Sequence, residues 1–464
     1  MHSRIILDLI GGVYMAKKQI DMVNGPIIKN MISFTIPVML AGLLQLVFNA
    51  LDLIFAGQFC GTESMAAVGS TSALTALIVN FFIGLGVGVN VAMAHSLGSG
   101  NKAAVSRVVH TAVPLALVGG FLLFLIGFFA AKPMLGIMKT DPAVIDLAAK
   151  YMKVYFVGAI PMLVYNFCAG IFRATGDSKT PMKFLILSGI INLCLKPFFI
   201  LVLRMDVLGL VTSTAIAHAV SAVLSIRLLM RRDDACRFEI KKMRFHKREL
   251  MRLIALGIPA GIQSSMFSIS NVFIQSAVNS FGPVFVAGNA AATNVENALN
   301  AIVHSMYQAS INFTGQNVGV GNIKRVKKIF LTSLAGVALI GGVACAFVYL
   351  FRYPILSIYT PDAAAIEEGM YRIMLVCVPY FLFGIQDTMA GSIRGMGASV
   401  SPTVISILCV CVLRVAWQYT VFPLFGTVES LFISYMVSWI VAGICNAVCY
   451  IVVYNRFKRR IMKE

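Results

Sequence analysis

Residues 171–181 read Ile-Phe-Arg-Ala-Thr-Gly-Asp-Ser-Lys-Thr-Pro, and residues 392–402 read Ser-Ile-Arg-Gly-Met-Gly-Ala-Ser-Val-Ser-Pro. Arg173 matches Arg394, Gly176 matches Gly397 and Pro181 matches Pro402, all at a spacing of 221 residues. Working outward, Ile36-Pro37 returns as Ile258-Pro259 at a spacing of 222, and Gly98-x-Gly100-Asn101 returns as Gly319-x-Gly321-Asn322 at 221. A register held over three distant places marks a chain made of two copies of one unit.

The composition says what that unit is. Of 464 residues, 59% are hydrophobic and 12% charged, against about 25% charged in a soluble domain. The apolar residues fall in stretches of about 20, long enough to cross a hydrocarbon core about 30 Å thick. Twelve helical spans are expected, near Met31–Phe55, Met65–His95, Val105–Ala130, Leu147–Ile171, Met182–Leu203, Leu208–Met230, Leu253–Phe281, Val284–Phe313, Ile329–Phe351, Met370–Ile393, Pro402–Phe425 and Ser430–Tyr454. Barrel strands are short and alternate in polarity, so a β-barrel is excluded. The fold class is an all-α polytopic membrane protein, with two parallel six-helix lobes around a central cavity.

The charge of +19 reads as an orientation signal rather than a nucleic-acid surface. Of 38 Lys and Arg residues, 29 fall on the side of the two termini, which the positive-inside rule makes cytoplasmic. The expected organisation is a tail over 1–30, a first lobe over 31–230, a basic linker over 231–250, a second lobe over 251–454 and a tail over 455–464. Ile10-Gly11-Gly12-Val13-Tyr14 resembles a translated bacterial ribosome-binding site, so Met15 is the expected natural start. Of ten cysteines, eight lie in apolar stretches with no C-x-x-C pair and no zinc spacing, and they read as small packing residues.

No G-x-x-x-x-G-K-[ST] motif is present, so ATP hydrolysis is not expected and the chain is not expected to be an enzyme. Three acids fall well inside spans: Asp52, Glu296 and Asp387. A carboxylate at the centre of a span costs about 2.5–3.5 kcal/mol and normally faces a cavity or a partner. Gln45, Asn49 and Asp52 share one face of the first helix at i, i+4, i+7. Ser264, Ser268, Asn271 and Gln275 form the matching stripe on the seventh, with no acid. Glu296 shares the eighth helix with Asn300 and His304, while Asp387 is on the tenth and Arg414 on the eleventh. Glu296, His304, Asp387 and Arg414 form either a structural ion-pair network or a substrate or ion site. His218 reads as a packing residue.

Ile36-Pro37, Asp52-Leu-Ile-Phe-Ala-Gly57, Ala66-Ala67-Val68-Gly69 and the twin Arg-x-x-Gly…Pro loops resemble the multidrug and toxic compound extrusion (MATE) transporters, and within them the DinF-like bacterial branch. The resemblance spans residues 30–455. It implies a bacterial inner-membrane antiporter, functional as a monomer, that exports organic cations and other small-molecule drugs by alternating access. No cofactor is implied beyond the coupling ion, H⁺ or less readily Na⁺. The family's first-helix acid maps onto Asp52, and its fifth-helix Asn-x-x-x-Asp-Pro maps onto Asn192-Leu-Cys-Leu-Lys196-Pro197. Lys196 therefore stands where relatives often carry a second acid. If the lobe packs as in the family, an ammonium beside Asp52 takes the place of a bound cation, which favours H⁺ over Na⁺ as coupling ion. The alternative is a lipid-linked oligosaccharide flippase of the same superfamily, whose cavity is expected to be strongly cationic.

Overall fold

The structure is a computed structural model that describes residues 19–138 and 140–462. The start expected at Met15, and the tail before Gln19, lie outside the described residues. Twelve long helices follow one another: α1 (Ile27–Phe59), α2 (Gly61–Gly98), α3 (Lys102–Ile137), α4 (Ile145–Ala174), α5 (Lys179–Val202), α6 (Asp206–Met230), α7 (Lys247–Asn279), α8 (Pro283–Val320), α9 (Ile323–Leu350), α10 (Ala363–Gly395), α11 (Val400–Phe425) and α12 (Val428–Ile461). Eleven are long and apolar enough to cross a membrane. The twelfth, α8, has 38 residues like α2, but Glu296, Asn300 and His304 lower its hydropathy.

The repeated motifs are the punctuation between these helices. Gly100 and Gly321 sit at φ of +66° and +79°, a left-handed region that glycine enters without a Cβ clash. The asparagine after each caps the next helix, with Asn101 Oδ1 accepting from the Ala104 N–H at 3.0 Å and Asn322 Oδ1 from the Arg325 N–H at 3.1 Å. Gly176 and Gly397 repeat the device at φ of +86° and +89° between α4 and α5 and between α10 and α11.

Among the described residues, three of these helices carry a π turn. In α5 it covers Phe198–Val202 and follows Pro197, which supplies no N–H to the ladder. The π turn of α11, Ile407–Val412, inserts one residue. Past it the repeat spacing is 222, so Asn192 corresponds to Arg414 and Lys196 to Gln418. The third, Ile373–Cys377, lies in α10 just before Pro379.

Among the described residues, two large buried apolar clusters form the cores, and a small third one joins the ends of α1, α5 and α6. Of the large two, the first draws mainly on α2, α3 and α4, the second on α8, α9, α10 and α12. Met31 and Phe34 of α1 belong to the second cluster, with Phe34 meeting Phe313 edge-on at 5.9 Å between ring centroids. So α1 starts in the core of the second lobe and ends in the first. The preceding segment is held too. Asn317 Nδ2 donates to the Met22 carbonyl at 2.9 Å, and a Cβ on Gly176 would sit 2.6 Å from the Ile20 carbonyl oxygen.

The lobes meet on the side of the termini, the basic side. Backbones of α2 and α7 touch at Gly84/Gly261 and Gly88/Gly257, where a Cβ on Gly88 would lie 2.7 Å from the Gly257 nitrogen. Polar ties close the seam further. Arg107 pairs with Glu249 at 2.6 Å, Arg252 bonds His95 Nδ1 at 2.7 Å, and His95 Nε2 reaches the Gly395 carbonyl at 2.6 Å. Gln316 Nε2 donates to the Ala174 carbonyl at 2.7 Å.

Candidate functional site

A cavity of about 420 Å³ lies between the lobes, walled by α2, α4, α7, α8 and α10. Four sequence candidates line it: Asn271, Asn300, His304 and Asp387. His304 Nδ1 lies 3.3 Å from Asp387 Oδ2, and its ring stacks on Tyr307 at 4.7 Å. Asn300 Nδ2 donates to the Tyr380 hydroxyl at 3.0 Å. Across the seam, Asn90 donates to Gln308 at 3.3 Å and Asn80 to Ser268 at 3.2 Å.

Five sequence candidates for the cavity stand elsewhere. Gln45 and Asn49 are exposed and bond each other at 3.2 Å. Gln275 is also exposed and bonds Asn279 at 2.9 Å. Glu296 turns away from His304 because Arg372 takes it, with Nη2 at 2.6 Å and Nε at 3.0 Å from the same Glu296 oxygen. Arg372 also donates to Asn289 Oδ1 at 2.7 Å and lies over the rings of Phe432 and Tyr435. Arg414 donates to Ser438 Oγ at 2.9 Å and stacks 4.0 Å from the Tyr435 ring centroid. The four-residue network expected among Glu296, His304, Asp387 and Arg414 is thus two separate pairs and one packed arginine. Three of the five N–H donors of Arg372 go to the Glu296 carboxylate and the Asn289 amide, and its guanidinium packs over two rings, which holds Glu296 away from the cavity.

Asp52 and Lys196 meet inside the first lobe. The Lys196 ammonium donates to Asp52 Oδ1, linking α1 to α5 away from the central cavity. The Lys196 side chain is fully enclosed, whereas the Asp52 side chain keeps 34% of its surface. Asn192, one turn earlier on α5, is buried and accepts from the Thr214 hydroxyl at 3.5 Å. His218, one turn beyond Thr214, lines a small void in this lobe with Tyr155 and Met162. Among the described residues, no three His, Cys, Asp or Glu side chains gather as ligands for a metal.

The cavity also holds residues whose place in the sequence suggests another role. Arg173 and Arg394, which count in the sequence as basic-side markers, line it. They sit in the last turns of α4 and α10, and side chains on a helix tilt back toward its N-terminus. A basic residue at such an end therefore points inward rather than out. Arg394 donates to the Tyr307 hydroxyl at 2.6 Å and also bonds Gln263 and Thr403. Arg372, near the start of the expected span Met370–Ile393, is buried within α10.

The match to known proteins follows the repeat. The family model described as MatE aligns with residues 37–198 and again with 259–420, one copy per lobe. The chain belongs to the MatE family. Among curated relatives of this MatE chain, "Probable multidrug resistance protein YpnP" of Bacillus subtilis is 26% identical over 398 residues, covering 86% of this chain and 89% of the relative. The "FAD transporter" of Shewanella oneidensis is 26% identical over 399 residues, covering 84% of this chain and 87% of the relative. A crystal structure of a MATE protein in complex with MaL6 superposes with a TM-score of 0.89 at 22% identity, covering 96% of this chain and all of the other.

Proposed function

We propose that this MatE chain is a secondary active exporter of small molecules, driven by H⁺ through the Asp52–Lys196 pair and working by alternating access of its two lobes. The basic side is cytoplasmic in this reading, in a bacterial inner membrane, so the seam closed there leaves the cavity facing outward. The observation that carries the proposal is the position of the pair: a titratable carboxylate, one-third exposed, bound to an enclosed ammonium and separate from the cargo cavity. An ammonium already at Asp52 competes with Na⁺ for the same carboxylate, whereas a proton needs only the oxygen.

Protonation of Asp52 removes the charge that holds Lys196. Removing one member of a buried pair costs about 3–5 kcal/mol, while each pH unit supplies about 1.4 kcal/mol per proton. A gradient of about two to four units is thus of the size needed to break the contact. The lever is α1, which carries Asp52 near one end and Phe34, packed into the second lobe, near the other. Loosening α1 from α5 frees the helix that spans both lobes. The relatives named for drug resistance and for FAD transport support a small-molecule cargo without fixing its class.

The test is efflux from proteoliposomes under an imposed pH or Na⁺ gradient. Export is expected to follow the pH gradient with Na⁺ absent. Export that requires Na⁺ and ignores the pH gradient rejects the assignment of coupling to this pair.

A further inference from the structure

We propose that the central cavity receives its cargo by an acidic group, a phosphate or a carboxylate, held between Arg173 and Arg394. The inference rests on the exporter reading and deepens it by naming the class of cargo. It puts an anion or a zwitterion ahead of the organic cations among the cargoes that the resemblance implies.

The cavity's charges do not balance. Its walls carry two guanidinium groups, Arg173 and Arg394, against one carboxylate, Asp387. Asp387 is 3.3 Å from His304 and forms no ion pair with either arginine. Neutral atoms hold Arg394: the Tyr307 hydroxyl, the Gln263 amide and the Thr403 hydroxyl. No described residue accepts a hydrogen bond from Arg173, and its Nε is enclosed without a partner.

A charged side chain within a span normally pairs with an opposite charge or faces a ligand path. These two arginines lack the first and line the second. They come from equivalent positions in the repeat, so one reaches the cavity from each lobe. The planar fork of a guanidinium matches a carboxylate or phosphate with two parallel hydrogen bonds. Five asparagines and two glutamines supply donors and acceptors on the remaining wall, beside the rings of Phe267, Phe383 and Tyr307. That wall suits the edges and faces of a polar aromatic body, and about 420 Å³ falls within the size range of small-ligand pockets.

The test uses the full chain in phosphatidylcholine nanodiscs at near-neutral pH without any gradient. Carboxyfluorescein, an anion, is titrated against rhodamine methyl ester, a cation on the same xanthene frame. The anion is expected to bind about tenfold tighter. Arg173→Gln should weaken anion binding by about tenfold, and Arg173→Lys should recover part of it. Since the Arg173 side chain makes no hydrogen bond or ion pair with the described residues, both variants should keep the parent's melting temperature. Asp387→Asn should tighten anion binding.

Tighter binding of the cation, or anion binding indifferent to Arg173→Gln, overturns the proposal. Adding phosphatidylglycerol to the nanodiscs separates two sources of the acidic group. Unchanged affinity supports a soluble cargo, whereas competitive loss gives the site to a lipid phosphate and overturns that assignment. Because binding is read without a gradient, failure of H⁺-driven export would leave this inference standing. Export of cations alone would sink this inference and leave the coupling intact.

Discussion

The two lobes share a backbone plan but keep their charges in different places. In the first, Asp52 and Lys196 join α1 to α5. At the corresponding positions of the second, 222 residues on, stand Ile274, which is buried, and Gln418, whose amide donates to the Phe273 carbonyl at 3.0 Å. The same helix–helix junction is thus an ion pair in one lobe and a neutral hydrogen bond in the other. One acid–base pair of the second lobe, Glu296–Arg372, is walled by Phe432 and Tyr435, with Arg372 also bonded to Asn289. The Asp52 carboxylate keeps about a third of its surface, whereas Glu296–Arg372 is a nearly enclosed rivet between α8 and α10. Repetition supplies the scaffold, and the asymmetry marks the place where we propose that the coupling proton binds.

The largest expected effect comes from breaking the rivet. Glu296→Gln leaves the Arg372 cation uncompensated and should lower unfolding stability by about 3–5 kcal/mol, read by thermal unfolding in detergent. The molecules that remain folded should still respond to a pH gradient. A loss of coupling without a loss of stability would move the coupling role from Asp52 to Glu296.

Transplanting the first lobe's junction sharpens the comparison. Gln418→Lys alone places an unpaired ammonium at this half-buried junction and should cost about 3 kcal/mol. Adding Ile274→Asp should restore more than half of that loss. If the double variant is no more stable than the single one, the two junctions are not equivalent.

The seam between the lobes should respond less. Arg107→Gln removes a partly exposed ion pair worth about 1 kcal/mol. That shifts an opening equilibrium roughly fivefold. Labelling of an Asn271→Cys probe from the side opposite the termini should fall accordingly, and unchanged labelling would remove Arg107–Glu249 from the seal.

The smallest effect lies in the segment before α1. The Asn24 backbone N–H bonded to Asp21 holds that carboxyl below the ordinary carboxylate range. A carboxyl lowered in the folded state adds stability above its unfolded value, and that stability is lost as pH falls through the folded one. Asp21→Ala should therefore cost about 0.5 kcal/mol near neutrality and nothing in strong acid. An equal cost at both pH values would mean that the segment is held by Met22 and Ile20 alone.

Much of this architecture is legible in residue order. Twelve apolar stretches and three matching motifs place the helices and the lobes, because span length and glycine turns are local properties. The pairing of Lys196 with Asp52 follows from a one-turn offset read against the family pattern. What escapes depends on direction and depth. Arg173 and Arg394 sit at helix ends, where a basic residue reads as an orientation marker, yet their side chains tilt back into the cavity. Glu296 is visible as an intramembrane acid, but its partner Arg372 lies at the edge of another expected span, and nothing in residue order pairs the two. Gln45 and Asn49 share a face with Asp52, although facing the same way on α1 does not bring them to the cavity.

Asp52→Asn in proteoliposomes tests the central claim most directly, with pH-driven export and gradient-free cargo exchange measured on the same preparation. Export driven by the pH gradient should be lost, while exchange of cargo across the bilayer should persist. Export that still follows the pH gradient in this variant would show that the proton enters elsewhere, and the Asp52–Lys196 pair would then be only a structural contact.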